Sequence, residues 1–353
     1  MAITFNSRLS RAVDGAVLWR LGLISVAPAG PDAGVVADPD AFWTASRVDQ
    51  PAPLQARILP TPPWARLLPR SARPAMVELS GPSRGPGDHW GATSLRARVA
   101  INARPDAPFV LLLHGYAVPA PWYEERQMQL LVRRGFSVGR LDLPFHLSRR
   151  VPRHAPGSGF FSSDPARTLA VLCQAVEDAA AVVAWAREEL GVRTGVHGVS
   201  LGGLVGGLLA CATELDAAAL ITPPSDLVEI IMELAPIRLR RELDVVDGHG
   251  GPWASDAAAA RAYLSRRLAP VTLPRLRLRT RPEHVVLIAA DHDRIVGAGP
   301  VRQTAAAWGV DCWEYSLGHV TVMAARGLVG RVHARLAADL GVAAPSQVGS
   351  AAG

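Results

Sequence analysis

Apolar and polar positions change period repeatedly along this chain, and the changes mark out its elements. Phe109–Leu113 is an unbroken apolar run, the pattern of a parallel strand covered on both faces. Before it, Ala75–Ser80 and Ser94–Ile101 are strand-like runs across a Gly/Pro loop, predicted to pair antiparallel at one sheet edge. After it, helical spacing covers Pro121–Arg134, opened by proline and closed by Gly135, and Phe136–Leu143 reads as the next strand. Asp164-Pro165 is a cap-and-first-turn signal for a helix running to about Leu190, where Gly191 stops it. Strands are then expected to end at Val199 and to cover Ala217–Ile221, Val285–Ala290 and Val310–Tyr315. Helices are expected to Thr213, over Gly299–Trp308 and over Val322–Leu340. Strands alternating with helices imply an α/β fold built on a doubly wound, mostly parallel sheet.

Three segments fall outside that alternation. Ser10–Leu23 has Val13, Val17, Leu18, Leu21 and Ile24 on one side, an amphipathic helix that docks on the core in the preferred reading and lies on a membrane in the alternative. Ala27–Ala75 is rich in Pro, Ala and Asp. It reads as an irregular arm with a short helix near Pro39–Ser46, and Trp43 and Trp64 indicate packing against something. Pro223–Pro282 contains helical stretches at Leu227–Leu234 and Ala257–Leu268, separated by Asp247-Gly248-His249-Gly250-Gly251. An insertion there sits over the carboxyl ends of the strands, where open α/β sheets bind ligands, and reads as a cap. The expected organisation is an arm over 1–75, one α/β domain over 76–340 with its cap at 223–282, and a disordered tail over 341–353.

Composition narrows the classes. With 353 residues and 49% apolar content the chain can bury a large core. Cys173, Cys211 and Cys312 are widely spaced and odd in number, two of them on expected helices. That suggests buried thiols in a reducing compartment and offers no metal-ligand spacing. The net charge is +6 and all 37 basic side chains are arginine, diffusely spread and without a nucleic-acid motif. The apolar stretch within Met1–Val26 is broken by Arg11, Asp14 and Arg20, unlike a signal peptide, and no uncharged run approaches the roughly 18 residues a bilayer span needs. A cytoplasmic protein is expected, with peripheral membrane contact left open.

The chemistry centres on Gly198-Val199-Ser200-Leu201-Gly202, where a strand turns sharply into a helix. A G-x-S-x-G turn there exposes the serine, and the following N–H, that of Leu201, can hold a developing oxyanion. Gly81-Pro82-Ser83-Arg84-Gly85 has the same spelling but runs into a turn-rich loop with no helix, so context selects Ser200 over Ser83. A serine nucleophile needs a base and a group to orient it, in the chain order Ser, acid, His. Asp293, after the strand Val285–Ala290, is the preferred acid, with Asp291 and Asp226 as alternatives. His319, in Gly318-His319 after the strand ending at Tyr315, is the preferred base over His284, His292, His197 and His333. Leu111-Leu112-Leu113-His114-Gly115-Tyr116 offers the second oxyanion donor, the N–H of Tyr116, with His114 bracing the loop.

Together, His114-Gly115-Tyr116, Gly198–Gly202, Asp293-Arg294-Ile295-Val296 and Gly318-His319 resemble the α/β-hydrolase superfamily over about residues 76–340. Asp142-Leu143-Pro144-Phe145-His146, Arg149-Arg150 and Ser163-Asp164…Arg167-Thr168 look like a poorly characterised subgroup named only for its α/β-hydrolase domain. Ala290 departs from the glycine many members carry before the acid. The resemblance implies a serine hydrolase that cleaves a carboxylic ester through an acyl-enzyme. Ser200, Asp293 and His319 would be catalytic, Leu201 and Tyr116 would form the oxyanion hole, and His114, Gly115 and His146 would belong to the substrate loop. No cofactor or metal is implied. A non-catalytic scaffold, or an acyltransferase or lyase, is the competing reading. An apolar, lipid-like acyl ester is the preferred substrate. Arg149, Arg150, Arg153 and His154 are expected near the entrance. Arg275, Arg277, Arg279 and Arg281 would share one face if extended, either to meet an anionic membrane surface or as a solvated edge.

Overall fold

A computed structural model describes residues 7–21, 38–86, 93–162, 164–234 and 257–342. The strands are β1 (Gln55–Leu59), β2 (Ala75–Pro82), β3 (Ser94–Ile101), β4 (Phe109–Leu113), β5 (Ser137–Leu141), β6 (Thr194–Val199), β7 (Ala217–Ile221), β8 (Val285–Ala290) and β9 (Asp311–Tyr315). The helices are α1 (Ser7–Leu21), α2 (Pro39–Ala45), α3 (Pro63–Arg66), α4 (Trp122–Arg133), α5 (Pro165–Leu190), α6 (Leu201–Ala212), α7 (Leu227–Glu229), α8 (Ala257–Arg267), α9 (Ala298–Trp308) and α10 (Leu328–Leu340). All nine strands join one sheet in the order β1-β2-β3-β5-β4-β6-β7-β8-β9. The first three pair antiparallel and β3 meets β5 antiparallel; from β5 through β9 every pairing is parallel.

The two faces of β4 explain its unbroken apolar run. Phe109, Leu111 and Leu113 point into a core shared with Leu172 and Val176 of α5, Leu204 and Leu208 of α6, and Val301 of α9. Val110 and Leu112 point the other way, against Met128 and Leu131 of α4 and Val332 and Leu336 of α10. Burying each such side chain is worth about 1.5–3 kcal/mol, so a polar residue on either face would weaken the sheet at its centre. β8 repeats the device, with Val285 and Leu287 on one side and Val286 and Ile288 on the other. α5 has the length and mean hydropathy (1.6) of a bilayer-spanning segment, but 78% of that stretch is buried, as in a core helix.

Some expectations change. The segment read as an irregular arm supplies an edge strand, β1, and so the β2–β3 pair lies one strand in from the edge. β1 carries no alternation to betray it, because nearly all of it is exposed, Ile58 to 85%. α2 docks by its tryptophan: the Trp43 indole N–H donates to the Pro270 carbonyl at 2.7 Å. The closing helix starts at Leu328 and not at Val322. Thr321–Ala324 is a separate 3-10 turn, and Gly327, at φ 80°, turns the chain before α10 begins. α1 docks as expected, but among its described side chains the fully buried ones are the polar Ser10 and Asp14, while Val13, Val17 and Leu18 are half-buried.

The rest of the arm over 22–37, the loop at 87–92, Ser163, the middle of the cap over 235–256 with Asp247–Gly251, and the tail over 343–353 lie outside the described residues. The described flanks of the cap are α7, continued by a π turn over Ile230–Leu234, and α8.

Candidate active site

β6 runs into α6 through Ser200, whose backbone takes φ 51° and ψ −118°, a strained conformation for a residue with a side chain. Crowding at the turn accounts for the flanking glycines. A Cβ on Gly202 would stand 2.0 Å from the Leu113 carbonyl oxygen, and one on Gly198 would stand 2.3 Å from the Gly202 oxygen. The Ser200 N–H donates to Ile221 O at 2.8 Å, tying the turn to the end of β7.

Two other strand ends converge on that serine. His319, four residues past β9, accepts from the Ser200 hydroxyl through Nε2 at 2.9 Å. Its Nδ1–H donates to Asp293 Oδ2 at 2.8 Å, in the loop after β8. The other Asp293 oxygen accepts the N–H groups of Ile295 (2.8 Å) and Val296 (2.9 Å), which fixes the carboxylate. Burial alone would raise the Asp293 pKa, but the imidazole beside it and these two N–H groups hold it below the ordinary carboxylate value. Burial alone would lower that of His319. The charge and hydrogen bond of Asp293, with a contribution from Asp14, carry it above the ordinary imidazole value. The arrangement can take a proton from Ser200 onto an imidazole whose tautomer is set by a carboxylate.

The alternative acids and bases have other partners. Asp291 pairs with Arg302 at the surface (2.5 Å), and Asp226 caps α7 by accepting from Val228 and Glu229 N–H. His284 is bonded to the Asp216 carbonyl and His292 to Ser316, while His197 faces Tyr123 and His333 faces Arg134.

The His114–Ala117 segment runs beside the nucleophile: a Cβ on Gly115 would lie 3.6 Å from Ser200 Cβ. Tyr116 packs its ring against His146 and Phe161. His114 and His146 are both fully buried and spent on the backbone, which removes them from contact with a ligand. His114 accepts from Leu143 N–H through Nε2 and donates to Gly115 O. His146 accepts from Ala117 N–H and donates to Pro144 O. Each ring thus needs one bare and one protonated nitrogen, and burial, the main cause, pushes their pKa values down to about 4 and about 3. Ala117, whose N–H the His146 ring takes, has a strained backbone at φ 56°.

The arginines expected at the entrance divide. Arg149 is fully buried, its guanidinium on Asp178 (2.7 Å), Ser83 Oγ (3.0 Å) and Asp142 O (3.1 Å). It is a core residue, and Ser83 sits in the same buried network, far from the role its motif spelling suggests. Arg150 lines a cavity of about 380 Å³ together with Arg98, Arg140 and the Val118–Pro121 segment. Arg153 and His154 are exposed. Arg275, Arg277, Arg279 and Arg281 are all exposed with Leu276 buried between them, but no strand forms, and Arg275 lies in a 3-10 turn. Arg279 donates to Ala212 O at 2.8 Å and Arg281 pairs with Glu283 at 2.6 Å. Among the described residues no group of three or more His, Cys, Asp or Glu is placed to hold a metal ion.

The strand order, the strained serine turn after β6 and the helices on both faces define the α/β-hydrolase fold. The chain is similar in three dimensions to acetyl xylan esterase 1 from Thermoanaerobacterium sp. JW/SL YS485, at 15% identity and a TM-score of 0.62, covering 93% of this chain and 99% of that one. It is also similar to an acetyl xylan esterase from Paenibacillus sp. R4, at 14% identity and a TM-score of 0.59, covering 89% and 97%. No protein-family model matches the sequence, and no curated protein matches it.

Proposed function

We propose that this protein is a serine esterase that hydrolyses a carboxylic ester through an acyl-enzyme. The observation that carries the reading is the continuous line Ser200 Oγ, His319, Asp293, with both links under 3 Å, on a strained turn of this fold. His319 Nε2 takes the hydroxyl proton as Ser200 Oγ attacks the ester carbonyl. The N–H groups of Leu201 and Tyr116 hold the resulting oxyanion. Collapse breaks the bond to the alcohol oxygen, which leaves with the proton from His319. Water then attacks the acyl carbonyl, His319 again taking the proton, and the bond to Ser200 Oγ breaks as His319 returns that proton to it and the acid departs.

The acyl group is apolar in this reading. Val320, next to His319, is 37% exposed, and Val118 Cγ1 comes within 4.0 Å of where a Gly115 Cβ would be, so apolar surface flanks the serine. The acetyl esters named for the two similar structures belong to the same bond class. The test is fluorophosphonate labelling followed by a series of p-nitrophenyl esters from acetate to dodecanoate, with acetylated xylan as a further arm. Ser200→Ala is expected to abolish labelling and to remove turnover by about a millionfold, while Ser83→Ala changes neither. A Ser200→Ala protein that still labels refutes the reading. Labelling without hydrolysis of any ester favours acyl transfer to another acceptor.

A further inference from the structure

Asp14 belongs to α1, a helix outside the sheet, and yet it is fully buried against the loops that carry His319 and Asp293. Its Oδ2 accepts the N–H of His319 at 2.8 Å and the N–H of Arg294 at 3.1 Å, and its Oδ1 accepts the N–H of Val320 at 3.1 Å. One carboxylate therefore joins the backbone of the base to the backbone beside the acid. Ser10, one turn earlier, meets the Thr321 hydroxyl at 3.0 Å. Gly318 makes room for both: a Cβ there would stand 2.7 Å from Asp14 Oδ2 and 2.9 Å from Ser10 O.

We infer that Asp14 is a positioning residue for His319, clamping the base loop and the acid loop into one register and placing a second negative charge behind the imidazole. The inference rests on the roles proposed above for Ser200 and His319. A buried carboxylate that only anchored α1 could use any backbone donor on the surface it meets. Here all three donors lie in residues 294, 319 and 320, within one residue of the acid and the base. Loop backbones tied to a shared acceptor cannot drift apart, and the 2.8 Å and 2.9 Å links of the Ser200–His319–Asp293 line depend on that spacing. The groups that face His319 are Asp293 from the loop after β8, Asp14 from α1 and Ser200 at the start of α6. Asp14 adds to Asp293 in stabilising the imidazolium that forms as Ser200 is deprotonated.

The experiment compares full-length wild type with Asp14→Asn and Gly318→Ala. The His319 imidazole is titrated by NMR, its signal assigned with His319→Gln, and the rate of Ser200 labelling by a fluorophosphonate is measured against pH. Asp14→Asn is expected to lower the His319 pKa, to move the acid limb of labelling to lower pH, and to slow labelling at its plateau by roughly a hundredfold, the scale on which ångström misplacement of a catalytic group acts. Gly318→Ala, which drives the Asp14 carboxylate away, is expected to shift the imidazole in the same direction, and it carries the test if Asp14→Asn does not fold. A helix anchor alone would lower thermal stability and leave the imidazole titration unchanged; that result in both variants overturns the inference. A shifted imidazole in a protein whose wild type does not label upholds the clamp and defeats the esterase reading.

Discussion

Asp293 and His319 are 26 residues apart in sequence, and the Asp293 carboxylate divides itself between them and its own loop. Oδ2 takes the imidazole N–H, and Oδ1 takes two backbone N–H groups. An asparagine there keeps the shape but presents the wrong tautomer to Ser200. Asp293→Asn is therefore expected to lower kcat by about ten-thousandfold, as in a serine protease with the same change. Asp291→Asn breaks a surface pair with Arg302, worth about 0–1 kcal/mol, and should leave turnover near wild type. Initial rates on p-nitrophenyl acetate decide it; equal losses at the two positions contradict the assignment.

Activity should depend on a neutral His319. Two carboxylates hold its proton more firmly than water does, so the acid limb of the kcat/KM profile should have its midpoint above the ordinary imidazole value of about 6.5. A midpoint below 6 would mean that burial, and not Asp293, governs the ring.

Four other histidines act in the opposite sense. His114 and His197 are held at about 4, and His146 and His333 at about 3, chiefly by burial. Between those values and the unfolded value of about 6.5 the unfolded chain binds more protons than the folded one. Their contribution to stability is thus complete above about pH 6.5 and is lost as pH falls toward 4 and then 3. The melting temperature should drop steadily between pH 6.5 and 4.5. A flat profile across that interval contradicts the neutral, buried assignment.

The buried pair Arg149–Asp178 makes a prediction about stability alone. Arg149→Met leaves the Asp178 carboxylate buried without its cation, a change that costs about 3–5 kcal/mol. Replacing both, Arg149→Met with Asp178→Leu, should recover much of that loss, since two apolar groups need no partner. Urea unfolding monitored by circular dichroism measures both; a double variant as unstable as the single one would show that Ser83, and Gln174 which donates to its hydroxyl at 2.7 Å, also depend on the pair.

The parallel sheet was legible because β4, β7 and β8 are apolar on two faces, a pattern that few other structures need. Ser200, Asp293 and His319 stood out because each follows a strand on the same edge, and chain order limits which acid and base can meet a given serine. β1 was hidden for the reverse reason: a strand at the edge with most of its side chains in solvent has no period to read. The role of Asp14 was hidden by its own helix, where a charge among valines reads as the solvent face of an amphipathic turn. Only its three backbone partners, some 280 to 306 residues away, reveal it. Arg149 misled similarly, since two adjacent arginines in a loop look like a surface and one of them is in the core.

The distance between α1 and its partners bears on how the molecule is made. A 15-residue helix is marginal by itself in water, and the residues that bind Ser10 and Asp14 are translated some 280 to 311 residues after them. During synthesis the strained turn at Ser200 can form on β6 and α6 well before His319 has been translated. In the reading proposed above, the growing chain carries an inert serine until α1 meets the loops after β8 and β9.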